Sequence, residues 1–375
     1  VDFFFVIVYL FFAVYVLSRT WVQQASSRLH VQRTYVNRAF PGDTVHVKIS
    51  VHNGSWLPLP WLEVHESLPV HLATPPYRHE VLSLRPHQDA QISYTLRCQR
   101  RGYYLIGPIT METGDLLGLL KPRQMETTAE HLIVYPHVVP LERLGLPTRA
   151  PLVSLLARSA LFEDPARTMG VRDYVRGDSP LSIHWGATAS AGRLLVKQYQ
   201  RSIARESLVC LDLNHEDYGQ RQRYTATELA IVTAASIASH VITHERLPVG
   251  LATEAYDPLN DQQARFYLPP RSQRAQLMSV LEVLARVETC ATTCFESLLR
   301  EETIKLSWGS TVTVITGSAS ETLFDTLAYL RRTGLAVALI LVQPTHTSFG
   351  LQGRARLLGI PIQQVWEEGD LESWH

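Results

Sequence analysis

Two segments of the chain carry residue types and spacings that could do chemistry. The first is Asp212-Leu213-Asn214-His215-Glu216-Asp217, reached at the end of the apolar run Leu208 to Leu213. Asp212, Asn214 and Glu216 are two apart, so on extended backbone their oxygens face one side and can serve one hard cation. The competing use of the same residues is a polar strand-to-helix turn whose side chains cap neighbouring amides. The second segment is Arg172 to Tyr199, RDYVRGDSPLSIHWGATASAGRLLVKQY. Gly177-Asp178-Ser179-Pro180 signals a tight turn, with Asp178 placed to accept from backbone amides beyond it. His184-Trp185 follows a short apolar pair, and Trp185 is expected to be buried, anchoring the turn against a core. Residues 172 to 205 carry a net charge of +4. Arg193, Lys197, Arg201 and Arg205 recur every four residues, which aligns them on one face of a strand and roughly on one face of a helix. That face either docks an acidic partner or a phosphate, or is a solvated flank. Asp173, Asp178 and His184 raise a hydrolytic alternative, although no nucleophile motif accompanies them. Cys290 and Cys294 are spaced to share a helix face, as ordinary cysteines or as a redox pair. With no second Cys/His pair nearby they make no zinc site.

The elements that must position these residues fall into distinct regions. Phe3 to Leu17 reads FFFVIVYLFFAVYVL, without a polar residue other than its tyrosines. As a helix this run is about 22 Å long, and extension to Val22 brings it to the roughly 30 Å of a bilayer core. Residues 1–22 therefore read as a transmembrane helix, with Arg19 snorkelling and Trp21 at the interface. The rivals are a secretory signal, which lacks its basic start and small-residue cleavage site here, and a buried soluble helix. The chain opens on Val1 rather than Met, which leaves room for an earlier helix pairing with this one as a hairpin. From Phe3 to Gly42 the charged residues are Arg19, Arg28, Arg33 and Arg38. Positive flanks stay cytoplasmic, which places the rest of the chain in the cytosol.

Residues 29–136 read as a β-sandwich of immunoglobulin-like type. Thr44 to Val51, Trp61 to His65 and Ala90 to Leu96 alternate at period two, between turn signals such as Pro41-Gly42-Asp43 and Asn53-Gly54-Ser55. Its scattered histidines read as solvated strand faces. Residues 137–206 read as a Pro-bearing connector that carries the Arg172–Trp185 string. Residues 207–375 alternate apolar strands (Leu208 to Leu213, Pro248 to Thr253, Thr311 to Thr316, Ala336 to Val342, Ile360 to Trp366) with helices (Thr225 to His244, Gln273 to Leu299, Ser320 to Thr333, Leu351 to Leu358). That order means an open, mostly parallel α/β sheet covered on both faces. Ligands of such sheets bind beyond the carboxyl ends of strands, where Asp212 falls.

Two resemblances attach to these residues. The turn after Leu208 to Leu213 resembles the DxSxS start of a von Willebrand factor A-like domain, whose adhesion site holds Mg²⁺. Asn214 and Glu216 stand where that pattern has serines, and Thr316-Gly317-Ser318 offers no later carboxylate. The implied site is degenerate, at most a weak Mg²⁺ site through Asp212, Asn214 and Glu216. The string Arg172, Tyr174, Gly177, Asp178, His184, Trp185 resembles the hallmark RxYxxGDxxxxIHW of the bacterial domain of unknown function 58 family. Arg101 to Pro108, Asp115 to Leu119 and Leu132 to Pro136 resemble further stretches of that family. Gly186 departs from it, standing where the family often has a basic residue.

The resemblance implies a multidomain membrane protein: transmembrane helix, β-sandwich, then von Willebrand factor A-like α/β domain. It also implies a MoxR-type AAA ATPase as partner, with other membrane proteins of the same system. The expected role is a non-enzymatic adaptor or scaffold in assembly or maturation of membrane or envelope proteins, at the bacterial cytoplasmic membrane and facing the cytoplasm. The alternative is a membrane-bound hydrolase using the Asp178/His184 region. The sequence has no GxxxxGK[ST] loop, so ATP hydrolysis falls to a partner. Thirty-five basic residues balance thirty-five acidic ones. No overall field gathers polyanions, which disfavours nucleic acid as a ligand. Four cysteines in 375 residues exclude a disulfide scaffold and fit a reducing compartment.

Overall fold

The computed structural model describes residues 2–73, 75–141, 163–174, 183–201, 206–292, 294–344, 353–355 and 357–372. The chain divides into two compact units, Val1–His137 with Leu281–Arg286, and Val138–Val280 with Val287–His375.

The first unit opens with α1 (Asp2–Ser27). Its apolar side chains from Phe3 to Phe12 are all exposed, Phe3 to 79%, so none of the described residues shields them from solvent. The last turns behave differently. Val22, Ala25 and Ser26 are buried, and Trp21 Nε1 donates to the Pro58 carbonyl at 3.0 Å. The helix thus runs beyond Val22 to Ser27, because its polar end finds an apolar stripe to bury.

The strands that follow are β1 (Leu29–Thr34), β2 (Arg38–Ala39), β3 (Thr44–Asn53), β4 (Leu59–Ser67), β5 (Tyr77–Leu84), β6 (Asp89–Arg97), β7 (Gly102–Ile106), β8 (Ile109–Thr113), β9 (Arg123–Glu126) and β10 (Glu130–Val134). They form sheets of order β1-β3-β6, β5-β4-β8-β9 and β2-β10-β7. The period-two pattern sets the faces: Val45, Val47 and Ile49 point inward opposite Leu96, Tyr94 and Ile92 of the antiparallel partner. These side chains meet Leu59, Leu62, Val64, Ile109 and Leu132 in one core, which makes the region a β-sandwich. One ion pair lies inside it. Arg33 reaches Glu66 at 2.7 Å with both side chains 1% exposed, and Glu130 at 3.4 Å.

The second unit begins with a hairpin of β11 (Glu163–Asp173) and β12 (Leu195–Arg201), antiparallel, with α2 (Trp185–Ala191) between them. The stretch read as a connector therefore holds regular structure, stapled by buried Leu195 and Val196. Then come β13 (Ser207–Asp212), α3 (Arg223–Thr243), β14 (Val249–Asp257), β15 (Gln262–Arg271), α4 (Arg274–Arg286), α5 (Phe295–Thr303), β16 (Thr311–Thr316), α6 (Glu321–Arg332), β17 (Ala336–Val342), β18 (Ile362–Val365) and α7 (Glu368–Glu372). The sheet order is β15-β14-β13-β16-β17-β18, parallel throughout except for β15 against β14. Every residue of β13 and β16 is buried, as strands covered on both faces require.

The single helix expected over Gln273 to Leu299 is two helices. Between them Glu288 exchanges backbone hydrogen bonds with Tyr256, Cys290 N donates to Leu213 O, and His215 N donates to Cys290 O. Pairing with the sheet breaks the helix there. Cys290 and Cys294 consequently share no helix face, and Cys294 is the residue before α5.

Candidate functional site

Asp212 ends β13, at the carboxyl edge of the α/β sheet, and is 2% exposed. Its Oδ1 accepts from the Asn214 amide at 2.9 Å, and its Oδ2 accepts from Thr316 Oγ1 at 2.8 Å. Its backbone carbonyl accepts from the Tyr218 hydroxyl at 2.7 Å. Asn214 is turned to local work: its Oδ1 caps the Glu216 amide at the start of a short 3₁₀ turn, His215–Asp217. Its Nδ2 donates to Asp217 Oδ2 at 2.8 Å. Glu216 is exposed.

The three residues expected to face one cation are thus engaged differently: Asp212 is buried and accepts from Asn214 and Thr316, Asn214 caps the turn, and Glu216 is exposed. Among the described residues no group of three or more His, Cys, Asp or Glu side chains is placed to hold a metal ion. The donors present do not make the Mg²⁺ shell of the adhesion-site pattern. Both Asp212 oxygens already accept hydrogen bonds, and Thr316 supplies a hydroxyl where the pattern has an acid.

Burial pushes the Asp212 carboxyl up to about 7, with the neighbouring Asp217 carboxylate adding to it; the Asn214 and Thr316 hydrogen bonds pull the other way. Asp217 is raised as well, first by burial. The pair thus favours a shared proton. Gly317 makes this packing possible: a Cβ there would lie 2.5 Å from a Tyr218 ring carbon and 2.6 Å from the Asp217 carbonyl. Beside the pair stands Glu296, whose carboxylate accepts from Thr322 at 2.8 Å and Ser320 at 3.1 Å. Burial raises Glu296, but these hydrogen bonds and one from Cys294 together hold it below its ordinary value. The arrangement thus favours the protonated form at Asp212 and Asp217 and the charged form at Glu296. Thr316, Asp217 and Glu296 are outside the residues chosen from spacing; the signal for Thr316 is a hydroxyl at the carboxyl end of the buried strand Thr311–Thr316.

The motif string is placed in part. Arg172 pairs with Val196 in the hairpin, and Tyr174 N donates to Leu194 O at 3.0 Å. Gly177 and Asp178 lie outside the described residues, as does Arg205. His184 caps α2: its Nδ1 accepts from the Ala187 amide at 3.1 Å, and its own amide donates to Leu195 O. That bond occupies one imidazole nitrogen with a structural task. Trp185 corrects the expectation of burial. It is 68% exposed, and α2 contains no buried residue. The reason is that His184, rather than Trp185, ties the helix start to the hairpin. Arg193 forms an exposed ion pair with Asp173 at 3.3 Å, and Lys197 sits in β12 opposite Val171. Arg193 precedes β12, so the basic residues do not run along a single strand.

Residues 170–364, from within β11 to within β18, match the family described as "Protein of unknown function DUF58". The chain belongs to that family. The DUF58 match takes in the end of β11, His184, Trp185, β12 and the whole Asp212 site. No curated protein matches the chain. Among solved structures, a CARDB domain from Pyrococcus furiosus is 14% identical over 28% of this chain and 91% of its own, with a TM-score of 0.21. A β-glucosidase from Listeria innocua is 12% identical over 30% of this chain and 16% of its own, with a TM-score of 0.20.

Proposed function

We propose that this DUF58 chain is a membrane-anchored, non-enzymatic adaptor that partners a MoxR-type AAA ATPase in assembly or maturation of membrane or envelope proteins. The observation that carries the reading is Trp185. A tryptophan left 68% exposed, on a helix that buries nothing, gains little for folding. Exposed Trp residues ringed by polar side chains are what partner surfaces use as anchors. Arg193 and Asp173 supply a charge-balanced polar rim on the same hairpin, of the kind that surrounds an interface anchor.

Three further observations support parts of the same reading. The exposed apolar α1, followed by arginines without an acid before Gly42, fits an anchor in the bacterial cytoplasmic membrane with the soluble units in the cytosol. The strand order, with its one antiparallel edge strand, favours a von Willebrand factor A-like domain used for binding, behind an immunoglobulin-like sandwich. The saturated Asp212 favours a degenerate adhesion site, with Mg²⁺ held weakly or not at all.

The test is capture of partners by the full chain from solubilised membranes, with and without ATP, in wild type and Trp185→Ala. Retention of an AAA ATPase by wild type, reduced at least tenfold in the variant at unchanged melting temperature, is the expected outcome. Loss of turnover of a small ester or peptide in the variant, with no ATPase retained by either protein, replaces the adaptor with the hydrolase.

A further inference from the structure

The loop between β8 and β9, Gly114-Asp115-Leu116-Leu117-Gly118-Leu119-Leu120-Lys121, breaks the rule that turns expose polar side chains. Leu116 is 77% exposed, Leu117 66% and Leu119 42%. The loop is built to hold them there. Asp115 Oδ2 accepts from the Leu119 amide and Oδ1 from the Leu120 amide, both at 2.9 Å. Gly118 turns the chain at φ +68, a conformation that leucine or any other L side chain would strain. The Asp115 carboxylate thus consumes the loop's own backbone donors, and the leucines face outward.

The loop lies against α1 at one level. A cavity of about 360 Å³ is lined by Val14, Leu17, Trp21, Pro60, Leu116 and Leu117. Val14 is five residues before Arg19, roughly 7 Å toward the apolar end of the helix. Side chains that reach Val14 therefore reach the depth at which interfacial apolar groups sit, about 5–10 Å into the headgroup and acyl boundary. The surroundings have the composition of that boundary. Trp21 hydrogen-bonds Pro58, and Trp56, two residues earlier, is 62% exposed. Arg19, Lys121 and Arg123 are exposed on the flanks. Aromatic rings and cations at an apolar edge suit phospholipid headgroups.

We infer that the Leu116-Leu117-Gly118-Leu119 loop is a second membrane contact, inserted into the bilayer surface beside α1. It rests on the reading of α1 as an anchor. A single helix leaves the sandwich free to swivel; two contacts fix which of its faces meets the lipid.

The test uses the full chain, reconstituted alone into phosphatidylethanolamine/phosphatidylglycerol vesicles. A photoreactive p-benzoylphenylalanine replaces Leu10 in one protein and Leu117 in another, and adducts are identified by mass. Lipid adducts at both positions are expected. At position 117 they should fall at least fivefold when Leu116→Asp and Leu119→Asp are added, with the melting temperature unchanged. A lipid adduct at 10 with none at 117 overturns the inference and leaves the anchor standing. An adduct from 117 to a polypeptide, in place of lipid, overturns it in favour of a second copy. Absence of lipid adducts at both positions overturns the anchor and the loop together.

Discussion

Helices α1 and α3 have nearly the same claim on a membrane and opposite fates. Both are long and apolar enough to cross one, by length and composition. None of the apolar window of α1 is buried in protein, whereas 78% of that of α3 is. The difference lies in the neighbours. Around α3 the chain supplies a packed interior, in which the helix buries Ala226, Ala230, Ala234, Ala235 and Ala238 together with Leu229, Ile231, Val232 and Ile237. Around α1 the described residues leave Phe3 to Phe12 uncovered, and those exposed side chains are large: Phe3, Phe4, Phe11 and Phe12. The protein interior takes α3 out of water, whereas the α1 phenylalanines have no such cover among the described residues. An apolar run therefore marks a helix that avoids water, and the neighbours it finds decide whether protein replaces that water.

The sharpest way to break that comparison is to put one carboxylate into each helix. Ala230 is fully buried, so Ala230→Asp places an unpaired charge in a packed interior. We expect a loss above about 4 kcal/mol, enough to unfold the α/β unit. Phe11 is 63% exposed, and Phe11→Asp should leave the melting transitions in place while moving the chain out of the membrane fraction. Calorimetry and fractionation read the two effects separately. A Phe11→Asp chain that melts early, or stays with the membrane, would erase the distinction.

The β-sandwich sharpens the comparison, since it does hold charge in its interior. Arg33 and Glu66 tolerate burial because they face each other at 2.7 Å. Arg33→Met removes the cation and strands the carboxylate, a loss of about 3–5 kcal/mol in denaturant unfolding. Adding Glu66→Leu should recover most of it, because the cost is the orphaned charge and not the missing pair. If the double variant is as unstable as the single one, the pair itself holds the sandwich.

The same contrast explains how much was legible beforehand. Periodicity locates Thr311–Thr316 and Ala336–Val342 at the bounds found, because a strand covered on both faces is built from apolar and β-branched residues without a charge. It places Asp212 at a strand end for the same reason. It misses β15, whose Gln262–Arg271 mixes polar residues with two prolines, because an edge strand answers to one neighbour only. It misjudges the stretch between α4 and α5, where hydrogen bonds to Leu213, His215 and Tyr256 come from residues far along the chain. The site is legible by residue type and not by geometry. Asp212 is chosen correctly as the polar residue at the sheet edge, but its partner Thr316 is 104 positions away.

Asp212 is a buried acid of the second unit, 2% exposed, and burial favours its protonated form. Burial and Asp217 raise its folded-state pKa to about 7, against about 4 in the unfolded chain. Its contribution to stability is present in full below about pH 4 and is lost as pH rises through 7. Asp217 is shifted in the same direction. Asp212→Asn keeps the shape, accepts from Asn214 and donates to Thr316, and has no proton to lose. The variant should gain on the order of 1–3 kcal/mol over wild type between pH 5 and pH 8. Melting temperatures measured across that range decide it: a constant gap between the two proteins would mean that Asp212 is charged throughout.

The smallest expected effect is at Trp185, and its smallness is informative. A buried tryptophan truncated to alanine costs about 3–5 kcal/mol. Trp185 is 68% exposed on a helix without buried residues, so Trp185→Ala should change stability by no more than about 0.5 kcal/mol. His184 provides the contrast one position away. It accepts from the Ala187 amide at the start of α2, and His184→Ala should cost about 1 kcal/mol through the lost cap. The pair of variants therefore separates the residue that holds the helix from the residue that the helix displays. Urea unfolding of both measures the difference directly. A Trp185→Ala loss above that of His184→Ala would return the tryptophan to a core and remove the surface on which the adaptor reading depends.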